Sequence, residues 1–202
     1  MLNYFSLKMI DKKNITGIIL AGGKSSRMGT DKGFLTLNEK PFIQHSIDAL
    51  TPLVSEIIIV SDNPDYNVLG YERVTDIIKD AGPVAGICSG LEASKTDYNL
   101  VLSCDIPLIK TEVLEKLIVN RDTDADIIQI ESNGKTMPLI ALYKKQCHIV
   151  FNELLKKDER RLRVAVNQCR VKNIPLESKD YNTTMNVNTK EELKQLEHAH
   201  NH

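Results

Sequence analysis

Short runs of β-branched and apolar residues alternate with stretches of helical spacing, and this alternation most constrains how the chain can fold. Ile15 to Leu20 is the first run, a continuous apolar segment of the kind buried on both faces of a parallel sheet. Ile57-Ile58-Ile59-Val60, the short Arg73-Val74-Thr75, Tyr98 to Ser103 and Val171 to Ile174 read as further strands. Between them, Pro41 opens a helical stretch carrying Phe42, Ile43, Ile47 and Leu50. Val84 to Ala93 reads as a helix after the Gly82-Pro83 break, and Thr111 as the cap of a helix to about Asn120. Helical patterns also cover Gln146 to Lys157 and Arg160 to Val166. Ala125 to Ile130 and Met137 to Tyr143 flank Asn133-Gly134, which predicts two strands joined by a turn and so a sheet that is not purely parallel. Thr189 and Glu192 form a capping-box pattern for a last helix.

The expectation is one α/β domain, three-layered and Rossmann-like, with a mainly parallel but mixed sheet. The 202 residues suffice for one sizeable core. Residues 14–197 are assigned to the domain, 1–13 to an N-terminal extension and 198–202 to a disordered polar tail. A net charge of −1 argues against a generally basic nucleic-acid binder. No apolar run reaches membrane-spanning length, and the N-terminus lacks a secretory pattern. Cys88, Cys104, Cys147 and Cys169 form no C-x-x-C, so they read as reduced thiols and the chain as cytoplasmic.

In such folds ligands bind beyond the carboxyl ends of the strands. The exit of the first strand reads Leu20-Ala21-Gly22-Gly23-Lys24-Ser25-Ser26-Arg27-Met28-Gly29-Thr30-Asp31-Lys32. Its glycines let the backbone approach a ligand closely. Arg27 and Lys32 add fixed positive charge beside backbone N–H groups, a combination suited to polyphosphate. Gly23-Lys24-Ser25 imitates the end of a Walker A loop, but position 18, where that loop needs glycine, is Ile. The G-x-G-x-x-G dinucleotide fingerprint is also absent.

The loop resembles the signature L-A-G-G-x-S-x-R-M-G-x-D-K of the molybdenum cofactor guanylyltransferases, nucleotidyltransferases that activate a small phosphorylated molecule, and it matches every fixed position. The resemblance extends from about Ile15 to Leu196. It implies a nucleotidyltransferase domain that transfers GMP from GTP to the terminal phosphate of molybdopterin, or of molybdenum-molybdopterin, with pyrophosphate leaving. It implies Mg²⁺ as cofactor, and further partners among cofactor-biosynthesis proteins and acceptor molybdoenzymes. Gly22 matches the guanylyl branch, where cytidylyl relatives read Ala-Ala-Gly. A molybdopterin cytidylyltransferase, or a guanylyltransferase for another small phosphate, stays open as the alternative.

Other segments supply the rest of a site. Asp105 lies in Ser103-Cys104-Asp105-Ile106-Pro107, just past a strand. A hard carboxylate there suits Mg²⁺, which binds nucleotide phosphates through one or two protein carboxylates, although turn-forming aspartates are common. The segment also matches the C-D-x-P context in which the resembling family holds its magnesium. Asp76 and Gly82 correspond to the family's nucleotide-holding aspartate and glycine. A carboxylate can accept both the N1–H and the amino group of guanine. The family usually has an asparagine after the second strand; here the chain reads Val60-Ser61-Asp62-Asn63, and Ser61 or Asn63 is the candidate substitute. Asn186-Val187-Asn188 places two amides on one face of an extended segment, and in the family this N-x-N lies near phosphate and metal.

Arg160 and Arg161, in the densest basic run, match the family's E-R-R on the pterin side; the run reads equally as a solvated face. The expected nucleotide contacts are Leu20, Ala21, Gly22, Gly23, Lys32, Ser61, Asp76, Gly82 and Asp105. Arg27, Lys32 and Asp105 are the expected catalytic groups, with Asp105 as metal ligand. Asn186, Asn188, Arg160 and Arg161 are the expected contacts to the acceptor.

Overall fold

The computed structural model describes residues 14–22, 31–79, 81–121 and 123–200. Seven strands form the main sheet: β1 (Ile15–Leu20), β4 (Glu56–Val60), β5 (Glu72–Val74), β6 (Tyr98–Ser103), β7 (Ile127–Ser132), β8 (Lys135–Lys144) and β9 (Val171–Pro175). Their order is β5-β4-β1-β6-β8-β7-β9. The strands run parallel except β8, which pairs antiparallel with both β6 and β7. Two-residue strands β2 (Thr36–Leu37) and β3 (Lys40–Pro41) make a separate hairpin. The helices are α1 (Phe42–Leu50), α2 (Pro83–Ala93), α3 (Thr111–Val119), α4 (Cys147–Lys156), α5 (Leu162–Asn167) and α6 (Lys190–His200). The last helix thus continues beyond residue 197.

Side-chain alternation along the central strands feeds two cores. Ile15, Ile19, Ile57, Ile59, Leu100 and Leu102 face α1 and α3. Ile18, Leu20, Ile58, Val60 and Val101 face α2, α4 and α5. Two-sided burial explains why β1 reads as an unbroken apolar run. Helix α2 lies close against the sheet: a Cβ on Gly90 would stand 2.5 Å from Ile18 Cγ2. A third cluster of Leu37, Phe42, Val187 and Leu196 draws α6 and the segment before it onto the β2–β3 hairpin.

The β7–β8 link is a two-residue turn in which Asn133 (φ 49°) and Gly134 (φ 71°) both take positive φ, as a type I′ hairpin requires. The capping box at α6 forms reciprocally: Thr189 Oγ1 accepts from Glu192 N at 3.1 Å, and Glu192 Oε2 accepts from Thr189 N at 3.1 Å. Thr111 departs from its expected role. Lys110 is the N-cap of α3, and the Thr111 hydroxyl donates instead to the Ala49 carbonyl at 3.1 Å, tying α3 to the end of α1. A long-range acceptor outcompetes the local cap. The helical pattern expected from Arg160 begins only at Leu162.

Candidate functional site

The carboxyl ends of β1, β4, β5 and β6 open into a cavity of about 570 Å³. Six expected nucleotide contacts line it: Leu20, Ala21, Gly22, Ser61, Asp76 and Gly82. Backbone bonds extend the sheet to the rim. Ala21 N donates to Val60 O at 3.0 Å, Ser61 N to Val74 O at 2.9 Å, and Cys104 N to Leu20 O at 3.1 Å. Gly82, with φ 71°, turns the chain into α2. Gly23 and Arg27 lie outside the described residues.

The cavity wall includes Asp31, Asp62 and Asp76 and, among the described residues, no Lys or Arg. Asp76 has no hydrogen-bond or ion-pair partner among the described residues, and burial, with the Asp62 charge beside it, pushes its carboxyl up to about 6. An under-solvated carboxylate of this kind calls for N–H donors from a ligand. Gly86, one turn into α2, makes room for it, since a Cβ there would stand 3.3 Å from Asp76 Oδ1 and 3.2 Å from Leu20 Cδ2. Gly86, Ser103, Leu139 and Asp62 are wall residues that the sequence reading did not single out. Of these, Gly86 alone carries a signal in sequence, a second glycine four residues after Gly82 at the start of a helical stretch.

Where the family's asparagine is replaced, the structure uses the substitutes locally. Ser61 Oγ accepts from Asn63 N at 3.1 Å. Asn63 Oδ1 accepts from Asp65 N at 3.0 Å, and its Nδ2 donates to Asp31 Oδ2 at 3.0 Å. Both residues still line the cavity.

A second group of polar side chains meets at the end of β6. Lys32 Nζ lies 3.3 Å from Asp105 Oδ2 and donates to Asn188 Oδ1 at 2.7 Å. Asn186 Nδ2 donates to Asp105 Oδ1 at 3.1 Å. Four expected residues, spread over 156 positions of sequence, therefore share one network. Asn186 and Asn188 do not sit at the end of a strand of their own. They follow a 3-10 segment, Ser178–Thr184, and reach the cleft because Val187 N donates to Asp105 O at 2.8 Å. The fully buried Val187 side chain plugs the third core cluster, and alternation turns its two neighbours the other way.

Arg160 and Arg161 are placed elsewhere, on the link between α4 and α5. Arg160 Nε donates to Asp158 Oδ1 at 2.8 Å, and Arg161 grips Glu159 through Nε and Nη2. That guanidinium holds the partly buried Glu159 carboxyl below the usual range. Neither arginine lines the cavity at the strand ends. Arg163, from the same basic run, lines a second, polar cavity of about 380 Å³ with Gln129, Lys135 and Asn173. Pro138 belongs to this cavity and Leu139 to the first, so the two adjoin across β8.

Residues 17–172 match the family described as a MobA-like NTP transferase domain. A probable molybdenum cofactor guanylyltransferase of Flavobacterium johnsoniae is 39% identical over 186 residues, covering 91% of this chain and 97% of that relative. The molybdenum cofactor guanylyltransferase of Vibrio parahaemolyticus is 34% identical over 192 residues, covering 93% and 97%. Among solved structures, molybdopterin-guanine dinucleotide biosynthesis protein A of Archaeoglobus fulgidus superposes with a TM-score of 0.79 at 23% identity, over 92% of this chain and 98% of that one. A 4-diphosphocytidyl-2C-methyl-D-erythritol synthase of Anaerococcus prevotii has the same fold, with a TM-score of 0.72 at 15% identity over 98% and 100% of the two chains.

Proposed function

Because the chain belongs to the molybdenum cofactor guanylyltransferases of the MobA-like NTP transferase family, we propose that it transfers GMP from GTP to the terminal phosphate of molybdopterin. The products are the guanine dinucleotide of the pterin and pyrophosphate. The observation that carries the placement of substrates is the division of charge along the cleft. Among the described residues, the cavity at the strand ends has acidic walls and an Asp76 without a hydrogen-bond or ion-pair partner. The cation Lys32 stands apart from those walls, beside Asp105.

Acidic walls repel phosphates and attract the donor edge of a base. Guanine offers N1–H and an amino group side by side, a pair that one carboxylate can accept. Cytosine has no such pair of adjacent donors. The base is therefore assigned to Asp76 and the triphosphate to the Lys32–Asp105 end, with Leu20 to Gly22 supplying close backbone between them.

The reaction joins an oxygen of the acceptor phosphate to the α-phosphorus of GTP and breaks the bond from that phosphorus to pyrophosphate. A phosphate monoester is mostly dianionic at neutral pH, its second pKa being about 6, so no general base is needed. The rate then rests on alignment and on neutralising charge. Lys32 offsets the charge gathering on the leaving pyrophosphate, and Arg27, by its place in the signature loop, is assigned to the same task. Asn186 and Asn188 are assigned to the acceptor phosphate, and Arg160 and Arg161 to the pterin side.

The residues at Asp105 fit Mg²⁺. They offer the Asp105 carboxylate and, beside the same Lys32 ammonium, the Asn188 Oδ1, both hard oxygen donors, and the described residues contain no cluster of three acidic, His or Cys ligands that would favour an all-protein metal cage. When bound, Mg²⁺ would supply charge neutralisation of the phosphate oxygens. Asp105 would hold it, with the remaining ligands coming from water and substrate.

Thermal shifts with GTP, ATP, CTP and UTP, each with Mg²⁺, test the base assignment, and pyrophosphate release on adding molybdopterin tests the transfer. GTP should stabilise most, and release should require both substrates. Equal stabilisation by CTP, or no release with GTP and molybdopterin together, would overturn the reading.

A further inference from the structure

We infer that Tyr66 is a positioning residue, whose hydroxyl acts through Asp31 to aim Lys32 at the phosphate end of the cleft. The inference rests on the transferase reading for what Lys32 does, but the contacts stand on their own. Tyr66 lies in the 3-10 segment Pro64–Leu69 that follows β4 and is fully buried. Its hydroxyl donates to Asp31 Oδ1 at 2.5 Å. Asp31 also accepts from Gly33 N at 3.1 Å and from Asn63 Nδ2 at 3.0 Å. One carboxylate thus joins the loop after β1 to the segment after β4.

The joint is tight on both sides of Lys32. Phe34 stacks on the Tyr66 ring, with centroids 4.5 Å apart and planes at 15°. A Cβ on Gly33 would stand 2.1 Å from the Tyr66 hydroxyl, so only glycine lets the phenol reach its acceptor. Lys32 is therefore flanked by residues clamped to a buried ring, while its own ammonium extends to Asp105 and Asn188. Burial keeps the phenol protonated, with the neighbouring Cys104 and Asp31 acting in the same direction, so it remains a donor throughout the working pH range. The wall segment of Ser61, Asp62 and Asn63 lines the base cavity, and Asn63 belongs to the same clamp. The Asp31 carboxylate thus bridges the wall of the base cavity and the segment that carries Lys32.

Tyr66→Phe keeps the ring and its stack and removes only the hydroxyl. GMP transfer should lose about ten- to a hundredfold in kcat, the cost of a small misplacement of a charged group, with KM for GTP within about twofold. In a Lys32→Ala background the same change should alter the residual kcat by less than about twofold, because the clamp acts through Lys32. Asn63→Ala, which loosens Asp31 without touching the ring, should act in the same direction.

NMR of the lysine ammonium groups in isotope-labelled protein gives a readout that needs no turnover. The Lys32 signal, assigned by its loss in Lys32→Ala, should be resolved in the wild type and broadened or shifted in Tyr66→Phe. An unchanged Lys32 signal, or an equal loss of kcat in both backgrounds, would overturn the inference. A wild type that shows the signal and its response but never transfers GMP would overturn the transferase reading and leave the clamp standing.

Discussion

Replacing Asp76 with Asn should stabilise the free protein while weakening GTP binding, because one cause lies behind both effects. Burial, reinforced by Asp62, raises the Asp76 carboxyl from 3.8 to about 6. Two pKa units correspond to roughly 3 kcal/mol, and solvent screening at this half-exposed group reduces that to ~1–2 kcal/mol. The folded chain binds the Asp76 proton more tightly than the unfolded chain. Its contribution to stability is therefore fully present below 3.8 and is lost as pH rises through about 6. At pH 7.5 the wild type carries the cost of the buried charge, and the neutral Asn variant does not. For a domain of this size the variant should melt a few degrees higher, at about 2–4 °C per kcal/mol.

With GTP the order reverses. Charge-assisted bonds to the two guanine donors are worth about 1.5–3 kcal/mol, so the variant should bind roughly 10- to 100-fold more weakly. Between pH 7 and pH 5 the ionised fraction at Asp76 falls from about nine-tenths to about one-tenth, a tenfold loss of binding-competent protein. The terminal phosphate also titrates near ~6, so the measured quantity is the ratio of wild-type to variant affinity across that range. Differential scanning fluorimetry and isothermal titration would give both arms. A variant that melts no higher than the wild type at pH 7.5 would refute the burial argument. Affinity curves of the two proteins that stay parallel from pH 7 to pH 5 would refute the base assignment.

Asp105→Asn should cut pyrophosphate release by at least ~10²-fold with an unchanged circular dichroism spectrum, and chelation of divalent ions should reproduce the loss in the wild type. Retained release in either case would remove the metal role. Alanine at both Arg160 and Arg161 should raise KM for molybdopterin while leaving the Kd for GTP unchanged, as measured by steady-state kinetics and titration. An unchanged KM would leave the pair as surface charges held by Asp158 and Glu159. Gly90→Ala would drive a methyl group to 2.5 Å from Ile18 Cγ2. Overpacking of ~1–3 kcal/mol should outweigh the ~1 kcal/mol gained in helix propensity, giving a lower melting temperature and leaving KM for GTP unaltered.

Local chemistry was legible wherever it was also decisive. The Asn133-Gly134 turn, the Thr189–Glu192 box and the apolar run of β1 each follow from interactions within a few residues or from burial on both faces. Of the residues expected to face a ligand, Leu20 to Gly22 line the cavity and Asp105 meets Lys32 at the end of β6, while residues 23–30 of the signature loop lie outside the described residues. Thr111 shows the limit of such reading. Its hydroxyl can cap locally or reach another element, and only the packing of α3 beside α1 makes Ala49 O the acceptor.

What the amino-acid sequence determined by itself is the succession of strands and helices and the kinds of groups available for phosphate, base and metal. What only the tertiary structure decided is which of those groups meet. Val187 must be buried and bonded to Asp105 before Asn186 and Asn188 can join Lys32. Tyr66, which no motif marks, becomes a partner of Asp31 only when the segment after β4 folds against the loop after β1. Periodicity and capping are encoded over three or four residues, whereas convergence of side chains scattered along the chain depends on the sheet order, which no short window of sequence contains.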